Sequence, residues 1–348
     1  MLNSFLSFTT LSALLATAIT KPIDPREAAS WPDPEPCTGN CSYIHDPSVL
    51  RRKDGTWFRF STLGNIAIAT APALTGPWTY QGAMLPSGSK INVVKNQQLW
   101  APDVSNIDGT YYAYYSVSHS GLQTSDIGVA TSSSLNVGSW TDHGSVGVPK
   151  SGNYNLIDPN FFRECANCQN YWSFGSAWND VYQTSLNPDF LTWSGVTPAQ
   201  KLFNSTVPKG QNYPSITEGS FLFWWPVSGT KYYYMFFSSG ACCNAGTALA
   251  PPGDEYKIMV CRATSPTGPF VDQAGKSCLK ENGGTLVLGT HGENVYAPGG
   301  QGVVFDQSVG RVALYYHYAN PKIGYGFEKF LFGFNYLEFA SGWPVVTS

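Results

Sequence analysis

The sequence predicts an all-β protein folded as a five-bladed β-propeller. Aromatic residues make up 15% of the chain, and its apolar runs are rich in Tyr, Phe, Trp, Val and Thr, which favour strands over helices. A short phrase that reads as strand, polar turn and aromatic strand occurs five times, each time after a predicted hairpin. Four strands in each of five repeats is the pattern of a five-bladed β-propeller.

The repeats follow one another without a linker. The hairpins are predicted at residues 46–61, 102–116, 158–176, 218–238 and 298–318. The strand pairs that follow them are predicted at 66–82, 127–144, 181–196, 258–275 and, more weakly, 332–346. Asp54-Gly55 and Asp108-Gly109 are expected at hairpin tips, because a type I′ turn needs a positive φ at both central residues. An irregular β-sandwich is the alternative, but it does not explain why the same kind of strand pair follows each hairpin.

The N-terminus reads as a targeting segment. Residues 1–20 join an apolar stretch to a small-residue ATA, which predicts a secretory signal peptide although a basic n-region is missing. A buried N-terminal segment is the alternative. Residues 21–42 are then an N-terminal extension and 43–348 the catalytic propeller domain. No later apolar run is long enough to span a bilayer, so we expect a secreted protein without a membrane partner.

The eight cysteines of a secreted chain are expected to pair. Short local loops favour Cys37 with Cys41, Cys165 with Cys168 and Cys261 with Cys278. The adjacent Cys242 and Cys243 are left as a vicinal pair or as two thiols. The CxxC at 165–168 is also compatible with zinc or redox chemistry, but it has no second CxxC and lies between two aromatic strands. Asn40 and Asn204 begin N-glycosylation motifs.

The charge balance excludes one class of partner. The net charge is −3 and only 12% of the 348 residues are charged, so the chain has no basic excess for nucleic acid or anionic membranes. No apolar strip marks a dimer interface, and we expect a monomer.

Three acidic residues begin strands in separate repeats. Asp46, Asp158 and Glu218 align at the same position in blades one, three and four. The first strand of each blade lies closest to the propeller axis, so these acids should converge at one mouth of the channel. An isolated Asp-Pro usually starts a turn. Three acids at equivalent places instead predict a site, because crowded carboxylates raise at least one pKa.

The two other blades carry no acid at that position. Blade two has Ala101-Pro102 there, with Asp103 one pleat further on, and blade five has Ala297-Pro298. The arrangement suits glycoside hydrolysis, which needs one protonated carboxyl and one ionised carboxylate. Trp100, Trp178 and Tyr213 are candidates to stack on sugar faces, and core packing is their alternative role.

At this point an ordered set of motifs resembles glycoside hydrolase family 43, most closely the fungal endo-1,5-α-L-arabinanases. The motifs are HDPSV, LWAPDV, NLIDPNFF followed by GSAW, EGS, and APGGQGV with YYHY, and the similarity runs from about Tyr43 to the C-terminus. The resemblance implies an inverting hydrolase of α-1,5-linked arabinan or arabino-oligosaccharides. Exo-acting α-L-arabinofuranosidases, β-xylosidases of the same family and a non-catalytic carbohydrate-binding propeller are the alternatives.

The resemblance also implies roles for individual residues. Asp46 would be the general base, Glu218 the general acid, and Asp158 would orient Glu218 and keep its pKa high. An inverting pair should stand about 6.5–9.5 Å apart. The implied substrate contacts are Trp100, Gly121, Asn155, Leu156, Ile157, Ser176, Ala177 and Trp178.

A cation, most simply Ca²⁺, is implied in the central channel near His317. Water would supply most of its ligands, and a core histidine bonded to a backbone carbonyl is the alternative. Two departures from the family pattern stand out. Gly300 and Gln301 occupy places where many members have His after Pro-Gly, and Trp224 and Trp225 predict a groove of different length.

Overall fold

The computed structural model describes residues 31–242 and 248–348, and nearly all regular structure in them is β-strand. Five four-stranded antiparallel sheets follow one another along the chain, which confirms the five-bladed propeller. The inner strand of each sheet contacts the inner strand of the next, and that of the last sheet contacts the first, so the sheets form a ring.

Each blade is one continuous segment of chain. Blade one consists of β1 (Ser48–Arg51), β2 (Trp57–Ser61), β3 (Ala67–Ala71) and β4 (Thr79–Ala83). Blade two consists of β5 (Gln98–Ile107), β6 (Thr110–Ser118), β7 (Asp126–Ser132) and β8 (Thr141–Ser145). Blade three consists of β9 (Asn160–Arg163), β10 (Asn170–Phe174), β11 (Val181–Thr184) and β12 (Ala199–Leu202). Blade four consists of β13 (Ile216–Val227), β14 (Thr230–Gly240), β15 (Lys257–Ala263) and β16 (Thr285–Leu288). Blade five consists of β17 (Tyr296–Asp306), β18 (Arg311–Ala319), β19 (Leu331–Glu338) and β20 (Val345–Thr347), with a 3₁₀ turn, η1 (Phe327–Lys329), before β19.

The apolar core is divided among the blade interfaces. One cluster lies between blades one and two, around Phe60 and Tyr115, and another between blades four and five, around Phe236 and Tyr316. Similar clusters fill the three remaining interfaces. Because both faces of a blade pack on neighbours, the middle strands are nearly continuous apolar runs, as the TYYAYYSVS of β6 shows. Each fully buried aromatic contributes about 1.5–3 kcal/mol.

Two predicted outer strands lie in a different place. In blades three and four the residues directly after the third strand form only isolated bridges, Leu186 with Trp193 and Arg262 with Val271. The outer strands begin later, as β12 and β16, so the phrases at 181–196 and 258–275 contain only one strand each. The residues at the ends of those phrases fold back near their own third strand, and later residues form the outer strands β12 and β16.

The hairpin tips are partly as predicted. Asp108 and Gly109 have φ of 53° and 95° and connect β5 to β6 as the predicted two-residue turn. The tip of blade one is longer, because the Arg52 amide bonds to the Thr56 carbonyl. Of Asp54 and Gly55, only Gly55 has a positive φ. The I′ prediction is therefore wrong for the first hairpin.

A strap of residues before β1 joins the first and last blades. The Glu35 amide donates to Phe334 O of blade five at 2.8 Å, and the Asn40 amide donates to Trp78 O of blade one at 2.8 Å. The disulfide Cys37–Cys41 closes a loop of this strap. Every blade takes its four strands from consecutive sequence, so no blade combines strands from the two ends of the chain. The strap instead connects the first and last blades.

The other two predicted disulfides are also present, Cys165–Cys168 and Cys261–Cys278. The predicted pair of Cys242 and Cys243 includes a residue outside the described ranges, as do the predicted signal peptide and most of the extension. In the part of the chain that the structure describes, no helix is long and apolar enough to cross a membrane.

Candidate active site

All five inner strands begin at one mouth of the ring, and each has a residue in the left-handed region either two residues before the strand or within its first five residues. We call this residue the mouth position of its blade. The five are Asp46 (φ 44°), Ala101 (43°), Asp158 (56°), Gly219 (60°) and Gly300 (56°). A non-glycine residue in this region costs about 1–2 kcal/mol, so the surroundings must hold it there.

Hydrogen bonds from the preceding blade hold four of these residues. In each case the backbone amide of the mouth position donates to a buried side chain at the end of the neighbouring second strand. The pairs are Ala101 with Thr62 Oγ1 (2.7 Å), Asp158 with Ser116 Oγ (2.9 Å), Gly300 with Ser238 Oγ (2.9 Å) and Asp46 with His317 Nδ1 (3.0 Å). These four contacts are called the amide latches below.

The interface between blades three and four has no such latch. Blade three has Gly175 where the other blades have Thr62, Ser116, Ser238 or His317, so no side chain is present to accept the amide. The Gly219 amide instead lies close enough to the carboxyl of Asp158 to lower its pKa. An acid of the site therefore faces the amide that has no latch.

The strand register corrects the predicted alignment of the three acids. Asp46 and Asp158 are mouth positions, but Glu218 pairs with Ser238 and stands one residue earlier, with Gly219 at the mouth position. In blade five the mouth position is Gly300 and not Ala297, because it is the Gly300 amide that bonds to the preceding blade.

Asp46 is partly open to solvent. A third of its side chain is exposed, and its Oδ2 accepts a hydrogen bond from Thr62 Oγ1 at 2.8 Å. His317 Nδ1 lies 3.6 Å from Oδ1 and accepts the Asp46 amide, so this nitrogen carries no proton. Burial lowers the pKa of His317 to about 4, which keeps the imidazole neutral near pH 7. Asp46 is thus hydrogen-bonded without a cationic partner.

Glu218 has a different environment. Ser176 Oγ donates to its Oε2, and the Tyr256 hydroxyl donates to its Oε1 at 2.8 Å. Burial raises the pKa of Glu218, and the negative charge of Asp46 raises it further, against the lowering by the two hydroxyl donors. A carboxyl with a raised pKa can carry the proton that a departing sugar oxygen needs.

Asp158 connects the other two acids electrostatically. Its pKa is raised well above the ordinary value, first by burial and then by the charges of Glu218 and Asp46, while the Gly219 amide lowers it. Asp46 and Asp158 line one narrow cavity on the propeller axis, together with Gly219 and Tyr256. The structure therefore brings the three predicted acids to a common mouth.

The floor of this cavity includes a fourth acid, Asp103. Its Oδ2 accepts the Phe161 amide at 2.7 Å, and its Oδ1 accepts Asn160 Nδ2 at 3.3 Å, so it ties blade two to blade three. Burial raises the pKa of Asp103 to about 7.

This shift predicts how stability depends on pH. The folded chain keeps a proton on Asp103 that the unfolded chain releases near pH 4, so the contribution of Asp103 to stability is complete below about pH 4 and declines towards pH 7. Between those values the free energy of unfolding of the wild type should fall by about 2–4 kcal/mol more than that of Asp103→Asn. Urea unfolding at several pH values measures the difference, and parallel curves for the two proteins would contradict the prediction.

Several predicted sugar contacts lie around the mouth. Trp100 is half-buried near the start of β5 and pairs with Ser116, at the register level of Glu218. Trp178 is 41% exposed, in the loop after β10, and Tyr213 is 54% exposed, before β13. Gly121 is exposed in the loop after β6.

The other predicted contacts divide into two groups. Ser176 bonds Glu218, and Ala177 beside it is partly exposed. Asn155 is 3% exposed and its Oδ1 has no hydrogen-bond partner among the described residues. Leu156 and Ile157 are 3% and 7% exposed, and Leu156 belongs to the apolar cluster between blades two and three. The side chains of both residues are turned inward, and the sugar contact predicted for this stretch stays a prediction.

The sequence reasoning missed Tyr256, the hydroxyl donor to Glu218. It comes from the long connection between β14 and β15, outside every repeat phrase. A Cβ on Gly299 would lie 2.0 Å from Tyr256 Cε1, so the ring fits only against a glycine. The glycine-rich PGGQG was the available signal for such a close approach.

The two departures from the family pattern have separate explanations. A Cβ on Gly300 would lie 2.6 Å from Asp46 Oδ1 and from His317 Nδ1, so the fold excludes a side chain there. Trp224 and Trp225 lie near the Val227–Thr230 hairpin, at the end of β13 far from Glu218. They do not border the mouth, and the groove length predicted from them is wrong.

The chemistry of the donor set bears on the predicted calcium. His317 Nδ1 already accepts the Asp46 amide, which leaves one imidazole nitrogen, whereas Ca²⁺ takes six to eight oxygen ligands. Within residues 31–242 and 248–348, no group of three or more His, Cys, Asp or Glu side chains is placed to hold a metal. The side chains alone do not fit a calcium site, and we derive no catalytic step from one.

Comparisons with known proteins agree with this geometry. The family model described as glycosyl hydrolases family 43 matches residues 42–344. Arabinan endo-1,5-alpha-L-arabinosidase A of Aspergillus aculeatus is 47% identical over 335 residues, which cover 95% of this chain and 99% of that protein.

Solved structures with the same fold include two arabinanases. An exo-1,5-alpha-L-arabinanase from a bovine ruminal metagenomic library superposes with a TM-score of 0.72 at 27% identity, covering 92% of this chain and 99% of that one. The Cellvibrio cellulosa alpha-L-arabinanase complexed with arabinohexaose superposes with a TM-score of 0.72 at 26% identity, covering 87% of this chain and 95% of that one.

Proposed function

The chain belongs to glycosyl hydrolase family 43, and from this premise we propose that it hydrolyses α-1,5-linked arabinan with inversion at the anomeric carbon. The observation that carries the proposal is the contrast between two acids at one mouth. Desolvation raises the pKa of Glu218, whose carboxyl accepts from Ser176 and Tyr256, whereas Asp46 is a third exposed and accepts from Thr62. The relative at 47% identity is named for this polymer.

The roles follow from these environments. Glu218, protonated, gives its proton to the glycosidic oxygen as the bond to the anomeric carbon breaks. Asp46 accepts a proton from a water molecule that attacks the opposite face of the sugar, which inverts the configuration. Asp158 and Glu218 are electrostatically coupled, because the charge of Glu218 raises the pKa of Asp158, and by the same coupling a charge on Asp158 would favour the protonated form of Glu218.

We propose internal cleavage of the polymer. Trp100, Trp178 and Tyr213 come from different parts of the ring, and a chain of sugars can follow such a series of aromatic faces across the mouth. Removal of single sugars from an end would need only one sugar-sized recess. An exo-acting α-L-arabinofuranosidase and a β-xylosidase are the alternatives within the family.

The product profile from debranched arabinan tests this proposal. Internal cleavage should give a range of oligosaccharides in the first minutes, followed by shorter products, when samples are resolved by chromatography. A single sugar or disaccharide from the start would show attack at chain ends. Reducing ends from xylan but not from arabinan would show that the polymer is wrong.

The remaining predictions concern the setting of the enzyme. Three disulfides among the described residues favour an oxidising compartment, which supports the proposal of a secreted protein. Glycosylation at Asn40 and Asn204, a monomeric state and calcium near His317 stay predictions. Metal analysis of the purified protein tests the last of these.

A further inference from the structure

Gln301 follows the mouth position of blade five and reaches across to blade four. It is 5% exposed. Its Nε2 donates to the carbonyl of Gly219 at 2.7 Å, and its Oε1 accepts from Ser238 Oγ at 2.6 Å. Both ends of the side-chain amide are therefore bonded to blade four, and neither bond involves a residue proposed to transfer a proton.

Gly219 is the residue directly after Glu218, and its carbonyl accepts a hydrogen bond from Gln301. With a φ of 60°, Gly219 makes the bend that sets the direction of the preceding residue. Because the amide latch is missing between blades three and four, the bond from Gln301 is the side-chain hydrogen bond that holds this bend.

We propose that Gln301 is a positioning residue for Glu218, acting through the carbonyl of Gly219. The inference rests on the proposed function only in taking Glu218 as the general acid. Gln301 touches neither the Glu218 carboxyl nor the cavity acids in its hydrogen bonds. Its effect is to keep Glu218 where Ser176 and Tyr256 can reach the carboxyl oxygens.

The direction of the hydrogen bonds explains why an amide is needed. Ser238 Oγ accepts the Gly300 amide, so its own proton is available for Gln301 Oε1. The carbonyl of Gly219 can only accept, so the group facing it must donate. An ionised glutamate at position 301 would place a negative oxygen against that carbonyl, and methionine would offer no donor.

The experiment compares Gln301→Met and Gln301→Glu with Gln183→Met as the matched control. Gln183 is also buried, at 4% exposure, and its Nε2 also donates to a backbone carbonyl of blade four, that of Pro266, at 3.0 Å. The control loses the same kind of bond between blades three and four without touching Gly219. Initial rates on linear arabinan, pH profiles and melting temperatures are measured for each protein.

We expect Gln301→Met to lower kcat about 10- to 100-fold with KM changed less than about threefold, since a misplaced catalytic group costs rate more than binding. Gln183→Met should keep kcat within about twofold of the wild type, while its melting temperature falls by about as much as that of Gln301→Met. Near pH 7 the kcat of Gln301→Glu should equal that of Gln301→Met. Near pH 4–5 the kcat of Gln301→Glu, as a fraction of wild-type kcat, should be higher, because a protonated carboxyl can donate to the Gly219 carbonyl.

Three results would overturn the inference. These are wild-type kcat in Gln301→Met, equal losses of kcat in Gln301→Met and Gln183→Met, and no difference between the pH profiles of the Met and Glu variants. If Gln301→Met does not fold, kcat of Gln301→Glu as a fraction of wild-type kcat must rise from near pH 7 to near pH 4–5 for the inference to stand. If the wild type hydrolyses xylan rather than arabinan, the proposed substrate is wrong. The kcat of each variant relative to the wild type, measured on xylan, still tests Gln301.

Discussion

Glu218→Gln is expected to lower kcat on linear arabinan by about 10²- to 10⁴-fold, the range over which a general acid contributes. Glutamine keeps the shape of the side chain, but its amide cannot act as a general acid. One hydroxyl can still donate to the amide oxygen, and the other must turn to accept from the amide nitrogen. Binding of arabino-oligosaccharides, measured by calorimetry, should stay within about threefold of the wild type.

A substrate that needs no proton separates this loss from a folding defect. A nitrophenyl arabino-oligosaccharide releases a weakly basic phenolate, so Glu218→Gln should lose much less activity on it than on arabinan. Glu293→Gln is the control, because Glu293 is 83% exposed and pairs only with Lys322 among the described ion pairs. Equal losses on both substrates, or full activity on arabinan, would contradict the acid role of Glu218.

Gly300→Ala is expected to reduce kcat/KM at least about 100-fold, since a catalytic group displaced by about 1 Å costs that much. The added methyl would lie 2.6 Å from Asp46 Oδ1 and from two atoms of His317, so the base or its latch must move. Initial rates and circular dichroism on the same preparation measure activity and folding together.

The matched control is Gly88→Ala. Gly88 has a φ of 81°, but a methyl there meets nothing within 4 Å, so this variant carries the backbone strain of about 1–2 kcal/mol without the collision. It should keep near-wild-type activity. If the two alanine variants lose activity alike, strain rather than contact with Asp46 is the cause, and the argument from Gly300 fails.

The sequence was sufficient for the repeat and for the convergence of the acids, because strand periodicity and repeat phase are local patterns. It was not sufficient for the offset of Glu218, which is seen only in the pairing of β13 with β14 and in the positive φ of Gly219. The amide latches could not be predicted from the sequence either. Thr62 and Ser116 are ordinary strand-end residues until the neighbouring blade places an amide against them.

Residues that are taken together from one motif can differ in exposure. Leu156 and Ile157 belong to the same motif as Asp158, but the fold turns their side chains inward. The prediction from Trp224 and Trp225 failed because a strand of twelve residues has two ends and only one of them faces the mouth. Tyr256 went unnoticed since it lies outside the repeats and reaches Glu218 only through tertiary contact.

The seam between the first and last blades also has a consequence for biosynthesis. The amide of Asp46 is held by His317, which is 271 residues later in the chain, and His45 bonds the carbonyl of Phe327, 282 residues later. During translation Asp46 is synthesised early, and nearly the whole polypeptide must follow before His317, which binds its amide, is present. An incomplete chain therefore has no organised water-activating group, and hydrolytic competence should appear only when the final blade docks.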